Sequence, residues 1–130
     1  MKIETIEKLK SVIRLLEEKK GDLLIFAIFL REEPLEKWDV LVAADWLNSV
    51  DMDAYKVVAS NIQQTLDSSE LVQFSRVVIL DQDDPVVSFL LDLETIKNGG
   101  YKELNAGTLS EKFKFVIKRA YLLRSQKKIA

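Results

Sequence analysis

The unbroken apolar run Leu23-Leu-Ile-Phe-Ala-Ile-Phe-Leu30 constrains this chain more than any other stretch. At eight residues it is far short of the roughly 20 that a membrane-spanning helix needs. Its aromatic and β-branched content, with no polar alternation, suits a central strand covered on both faces. Such a strand needs apolar partners above and below it, and the flanking segments offer them. Ile3, Ile6, Leu9, Val12, Ile13 and Leu16 recur at helical spacing between Ile3 and Lys20, with Glu4 four residues ahead of Lys8 and Gly21 as a stop. After the break Arg31-Glu-Glu-Pro-Leu-Glu-Lys37, Trp38-Asp-Val-Leu-Val-Ala-Ala44 resumes the apolar pattern. The two runs predict a hairpin with a loop of about six or seven residues, punctuated by Pro34.

The rest of the chain alternates helical and strand signals. Asp51 to Leu66 places Tyr55, Val58, Ala59, Ile62 and Leu66 on one helical face, and Arg76 to Leu80 reads as a buried strand. Asp84 is a candidate N-cap with Pro85 at the first helical position, and Val86, Phe89, Leu90, Leu93 and Ile96 keep helical spacing as far as Asn98-Gly99-Gly100. A last helix is predicted from Thr108, whose hydroxyl and Glu111 form a T-x-x-E capping box, to about Ser125. The order helix, hairpin, helix, strand, helix, helix predicts an α+β fold. A small mixed three-stranded sheet, made of the hairpin plus one further strand, would be packed by four to five helices in a single domain over residues 1–130. The opening Met1-Lys-Ile-Glu-Thr-Ile-Glu has early acids and no apolar h-region, which predicts a cytoplasmic protein without a membrane span.

Histidine and cysteine are both absent. That removes thiolate nucleophiles, imidazole bases, disulfides and the usual zinc sites. Chemistry would then fall to carboxylates, hydroxyls, lysine or arginine, with Mg2+ held by oxygen ligands. The densest candidate is Ser75 to Pro85, where a short apolar run ends in Asp81, Asp83 and Asp84. Asp39 and Asp45 lie near the two ends of the second hairpin strand. If the sheet sets Asp39 beside Asp81 and Asp83, the three are candidate catalytic residues for Mg2+-dependent phosphoryl or nucleotidyl transfer, with Asp81 and Asp83 as candidate metal ligands. The competing account is structural: Asp84 caps a helix, Asp83 favours its positive end, and Asp81 sits in the turn.

The strand Trp38-Asp-Val-Leu-Val around Asp39 resembles, over some twenty residues, the minimal nucleotidyltransferase fold, in which a Gly-Ser loop precedes a strand bearing a D-x-D pair. The chain departs from that pattern in two places: no Gly-Ser precedes Asp39, and the second carboxylate position is Leu41. The resemblance therefore implies a degenerate site and not membership of the family. Elsewhere, Gly21, Gly99, Gly100 and Gly107 form no phosphate-binding loop. Gly99-Gly100 followed by Tyr101-Lys102 offers an anion contact, although the same pair is a sufficient helix stop. Ser49, Ser60 and Ser75 have no histidine for a hydrolase triad.

A net charge of -2 conceals a strong asymmetry. Residues 21–100 carry five basic and fifteen acidic side chains, whereas residues 101–130 carry eight and two. The tail can steer an anionic partner or dock on the acidic body of its own or a neighbouring subunit, and docking is the cheaper arrangement. On the predicted last helix, Phe115 and Leu122 project opposite the core stripe with Lys118 and Arg119 between them, a candidate interface for a protein partner or second subunit. Trp38 and Trp46 bracket the second hairpin strand on one side and read as packing. The resulting expectation is an interaction domain, homodimeric and without catalysis or cofactor. The alternatives are the Mg2+-dependent transferase and nucleic-acid binding through the basic last helix, the latter opposed by a pI near 5.3.

Overall fold

The apolar run forms β1 (Ile25–Arg31), the middle strand of a five-stranded sheet in this computed structural model, which describes residues 1–33, 36–97 and 99–127. On one side β1 pairs antiparallel with β2 (Trp38–Ala43), and β2 pairs parallel with β3 (Phe74–Ile79), which forms an edge. On the other side β1 pairs antiparallel with β5 (Ile117–Ser125), and β5 carries the short strand β4 (Lys102–Glu103) at the far edge. Five helices complete a mixed α+β fold: α1 (Ile3–Lys20), α2 (Met52–Thr65), α3 (Ser68–Leu71), α4 (Pro85–Leu93) and α5 (Ala106–Phe113).

Strand alternation sends each side chain of β1 to one of two cores. Phe26 and Ile28, with Val40, Val42 and Leu123, pack under Leu9, Val12 and Leu16 of α1 and Val58 and Ile62 of α2. Ile25, Ala27 and Phe29, with Leu41 and Leu122, pack under Val87 and Leu90 of α4 and Leu109 of α5. Phe26 is fully buried and Phe29 almost so, each stabilising the fold by about 1.5–3 kcal/mol relative to an exposed ring. The caps follow local chemistry. Asp51 accepts the Asp53 and Ala54 N–H groups at the start of α2, and Asp84 accepts the Val86 N–H with Pro85 at the first helical position of α4.

The structure corrects the expected three-stranded sheet to five strands, because the predicted last helix is two elements, the second of them β5, and the short strand β4 ahead of it pairs with β5. α5 starts at Asn105, whose side chain accepts the Thr108 N–H, so Thr108 lies inside the helix and not at its cap. Lys114 adopts a left-handed backbone (φ 64) and ends α5, and the chain then runs through the sheet as β5. Ala120 to Ser125 are all buried, so β5 has no period-2 signature to separate it from a helix. α4 also stops short of the predicted end: it finishes at Leu93, and Ile96 exchanges both backbone hydrogen bonds with Ser125. Pro34, the predicted punctuation of the hairpin loop, and Asn98, part of the predicted helix stop, lie outside the described residues. No described helix is long and apolar enough to cross a membrane.

Candidate functional site

The parallel register of β2 and β3 decides whether the aspartates meet. Asp39 lies opposite Arg76, and Asp81 lies five residues further on, two past the end of β3. At roughly 3.3 Å per residue the two carboxylates are about 16 Å apart at opposite ends of the sheet. The expected Asp39, Asp81, Asp83 centre is therefore not assembled. No group of three or more His, Cys, Asp or Glu side chains able to hold a metal ion occurs among the described residues.

Asp39 and Asp81 instead have structural partners. Asp39 is almost fully buried at the start of β2. Its Oδ2 lies 2.7 Å from Arg31 Nε and 3.4 Å from Arg76 Nε, so two guanidinium groups neutralise it from the neighbouring strands. A carboxylate so paired has little to offer a divalent cation, which would have to displace both arginines. Asp81 accepts the Ser49 N–H on Oδ1 and the Ser49 hydroxyl on Oδ2, both at 2.8 Å. Those bonds, the backbone one foremost, hold its carboxyl below the usual carboxylate range. Asp81 thus clamps the β2–α2 connection to the end of β3, and its carbonyl accepts the Asp84 N–H as the chain turns into α4. Asp83 is exposed beside this turn.

The expected seam of Phe115, Lys118, Arg119 and Leu122 is also not formed, because it required a helix. Leu122 is fully buried against α4 and α5. Phe115 lies between α5 and β5, its ring 5.9 Å from that of Phe113 and 5.9 Å from the Arg31 guanidinium. Lys118 is bonded to Glu36, and Arg119 Nε lies 3.2 Å from Glu103 Oε2. Trp38 is buried and stacks on Tyr121, while Trp46 donates its indole N–H to the Gly21 carbonyl at 3.0 Å, so both tryptophans serve packing.

The surface that does stand out is the outer edge of β3. Leu80 donates its N–H to the Val42 carbonyl at 2.9 Å, which by alternation points Val78 and Leu80 inward. The N–H and C=O groups of Val77 and Ile79 then face away from β2. Val77, Val78 and Ile79 are each half-buried, Val77 and Ile79 on the α1/α2 face and Val78 on the other. A groove of about 250 Å³ runs beside the strand, lined by Tyr55, Ala59 and Gln63 of α2 with Leu71, Phe74 and Val77. The sequence marked this run as a strand but carried no signal that it would be an edge, since order within a sheet is set by pairings distant in the chain. No protein-family model, curated protein or solved structure matches the chain.

Proposed function

We propose that this chain is a cytoplasmic association module that acts without catalysis and pairs with a second copy of itself through β3. The observation that carries this reading is the edge itself. Unpaired strand edges readily recruit another strand, and proteins that remain monomeric protect them with charge, proline or brevity. β4 at the opposite edge is two residues long. β3 has six residues, no proline and one charge, Arg76. Only a register shift beside Ser75 interrupts it.

A two-fold antiparallel pairing centred on Val78 suits this sequence. It sets Val77 opposite the other copy's Ile79, so that the outward groups exchange four main-chain hydrogen bonds, and brings the two Val78 side chains together on the axis. Arg76 then faces Leu80 of the other copy, and no like charges oppose each other. The Mg2+-transferase reading has no such support, with Asp39 held by arginines and far from Asp81. Nucleic-acid binding through a basic last helix loses its helix, and Lys118 and Arg119 are paired within the chain.

Proline at position 77 tests the reading, because the Val77 N–H points outward and its loss spares the ladder to β2. Sedimentation velocity should show a dimer for the wild type and a folded monomer for Val77→Pro. Val78→Pro, which removes an inward donor, should destabilise the protomer itself. A wild type that sediments as a monomer at its highest soluble concentration would end the proposal.

A further inference from the structure

We propose that the α2 helices of two copies pack against each other across the β3 pairing, each closing the groove beside the other's edge strand. This contact rests on the pairing through β3 and adds a second layer to it. Strand pairing alone engages only Arg76 to Leu80 of each copy, whereas stable interfaces use roughly 20–30 residues a side. A stable dimer therefore needs a further contact. The two-fold axis of an antiparallel pairing stands perpendicular to the sheet, so the α1/α2 faces of both copies lie on the same side of it.

The seat of α2 on the sheet sets the spacing. Val58 and Ile62 share a core with Val40 and Val42 of β2, and Tyr55, Ala59 and Gln63 stand beside Val77 of β3, so the helix lies over these two strands. In the pair, the two helix axes are then two strand spacings apart, about 9.5 Å, within the roughly 8–10 Å at which helices pack. Two steps of sheet twist turn the helices by about −40 to −50° from antiparallel, close to the roughly −50° at which i±4n ridges interdigitate. Tyr55, Ala59 and Gln63, spaced four apart, form such a ridge.

The side chains on this flank suit a buried contact. Ala59 is small enough to let two helix backbones approach, and Tyr55 beside it is large enough to fill the other copy's groove. Met52, three residues before Tyr55 on the same flank, is 62% exposed in the single copy. The second α2 would cover this apolar side chain. α1 already packs along the other flank of α2, so this is the flank left open. Beneath the two helices, Val77 and Ile79, each half-buried, meet the same residues of the other copy and floor the junction. Asp53 and Lys56, the charged residues of α2, have opposite signs, so neither charge accumulates there.

Sedimentation over a concentration series, together with crosslinking through single introduced cysteines, tests the α2 contact. The chain has no cysteine, so one introduced thiol can bridge only two copies. Met52→Cys and Ala59→Cys should give covalent dimers rapidly with a short bismaleimide, and Glu18→Cys, at an exposed position of α1, should not. Ala59→Glu keeps a good helix former and should retain the native amide spectrum. Its dimer should be at least about tenfold weaker, because a longer charged side chain does not fit where two helices meet. A dimer that Val77→Pro dissociates and Ala59→Glu leaves equally tight, or crosslinking on α2 no faster than in Glu18→Cys, would overturn the α2 contact and leave the β3 pairing standing. A dimer that survives Val77→Pro would overturn the pairing, and with it the placement of α2. A wild type that stays monomeric would overturn both and leave the groove to a helix from another protein.

Discussion

Glu70 shows how much a single side chain can organise here. Its Oε1 lies 2.6 Å from Lys8 Nζ and accepts the Asp67 N–H at 3.0 Å, while its Oε2 accepts the Thr5 hydroxyl at 2.9 Å. One carboxylate thereby closes the capping box of α3 and ties that helix to α1. The sequence suggested Lys8 as the i,i+4 partner of Glu4, but the fold brings it a better-placed acid from 62 residues away. The Lys8 bond, then the Asp67 N–H, hold the Glu70 carboxyl below its ordinary 4.5, and the same bond raises Lys8 above its ordinary 10.5. A depressed carboxyl contributes its full stability above the unfolded-state value and loses it as pH falls through the native one. A raised lysine contributes below its unfolded-state value and loses it as pH rises through the native one. The tie should therefore be complete between about pH 5 and pH 10 and fail first in acid. Melting curves should place Glu70→Gln below the wild type at neutral pH, with the gap closing as pH falls below 4.5. Parallel curves down to acid would show that Glu70 is not linked to stability in this way.

Elements were legible where local grammar and core pattern agreed. α1 has an uninterrupted apolar stripe and a glycine stop, α2 and α4 have aspartate caps, and β1 and β2 are apolar runs on either side of a polar break. β5 was not legible, because a strand buried on both faces and an amphipathic helix share the spacing of Ile117, Ala120 and Leu123. The residue that separates α5 from β5, Lys114, is in a left-handed conformation that nothing in its identity announces. The candidate sites divide the same way. Asp84 was readable as a cap, whereas the separation of Asp39 from Asp81 depends on a register between strands distant in the chain. The strand assignment of β5 has a sharp energetic consequence. On a helix surface Leu122 would be replaceable, but in β5 it is fully buried between Ala27 and Lys102 in the ladder. Urea unfolding should show Leu122→Ala costing about 2–5 kcal/mol, against less than about 1 kcal/mol for Phe115→Ala at its 40% exposed position. Similar small costs at both positions would contradict the strand.

At the scale of the whole molecule, the charge asymmetry and the sheet order describe one arrangement. The basic carboxy-terminal segment carries β5, and its cations reach acids along the rest of the chain: Lys102 to Glu94, Lys118 to Glu36, Arg124 to Glu17 and Lys127 to Asp92. The tail is thus docked on its own body, and the apparent steering surface is largely used within the fold. Its strand lies second to the centre of the sheet, so both cores wait for the last quarter of the chain. Tyr121 and Leu123 fill the α1/α2 core, while Ile117, Ala120 and Leu122 fill the other. Pairings this distant in sequence form late, because loop closure precedes the contacts that offset it. A chain ending at Lys114 would leave β1 with a long apolar edge and open both cores at once. It should lack the dispersed amide spectrum of the full chain, exchange its amides rapidly and self-associate. Dispersed, protected amides in β1 and β2 of that truncated chain would show that the amino-terminal helices and hairpin fold without β5, and that the sheet does not depend on its final strand.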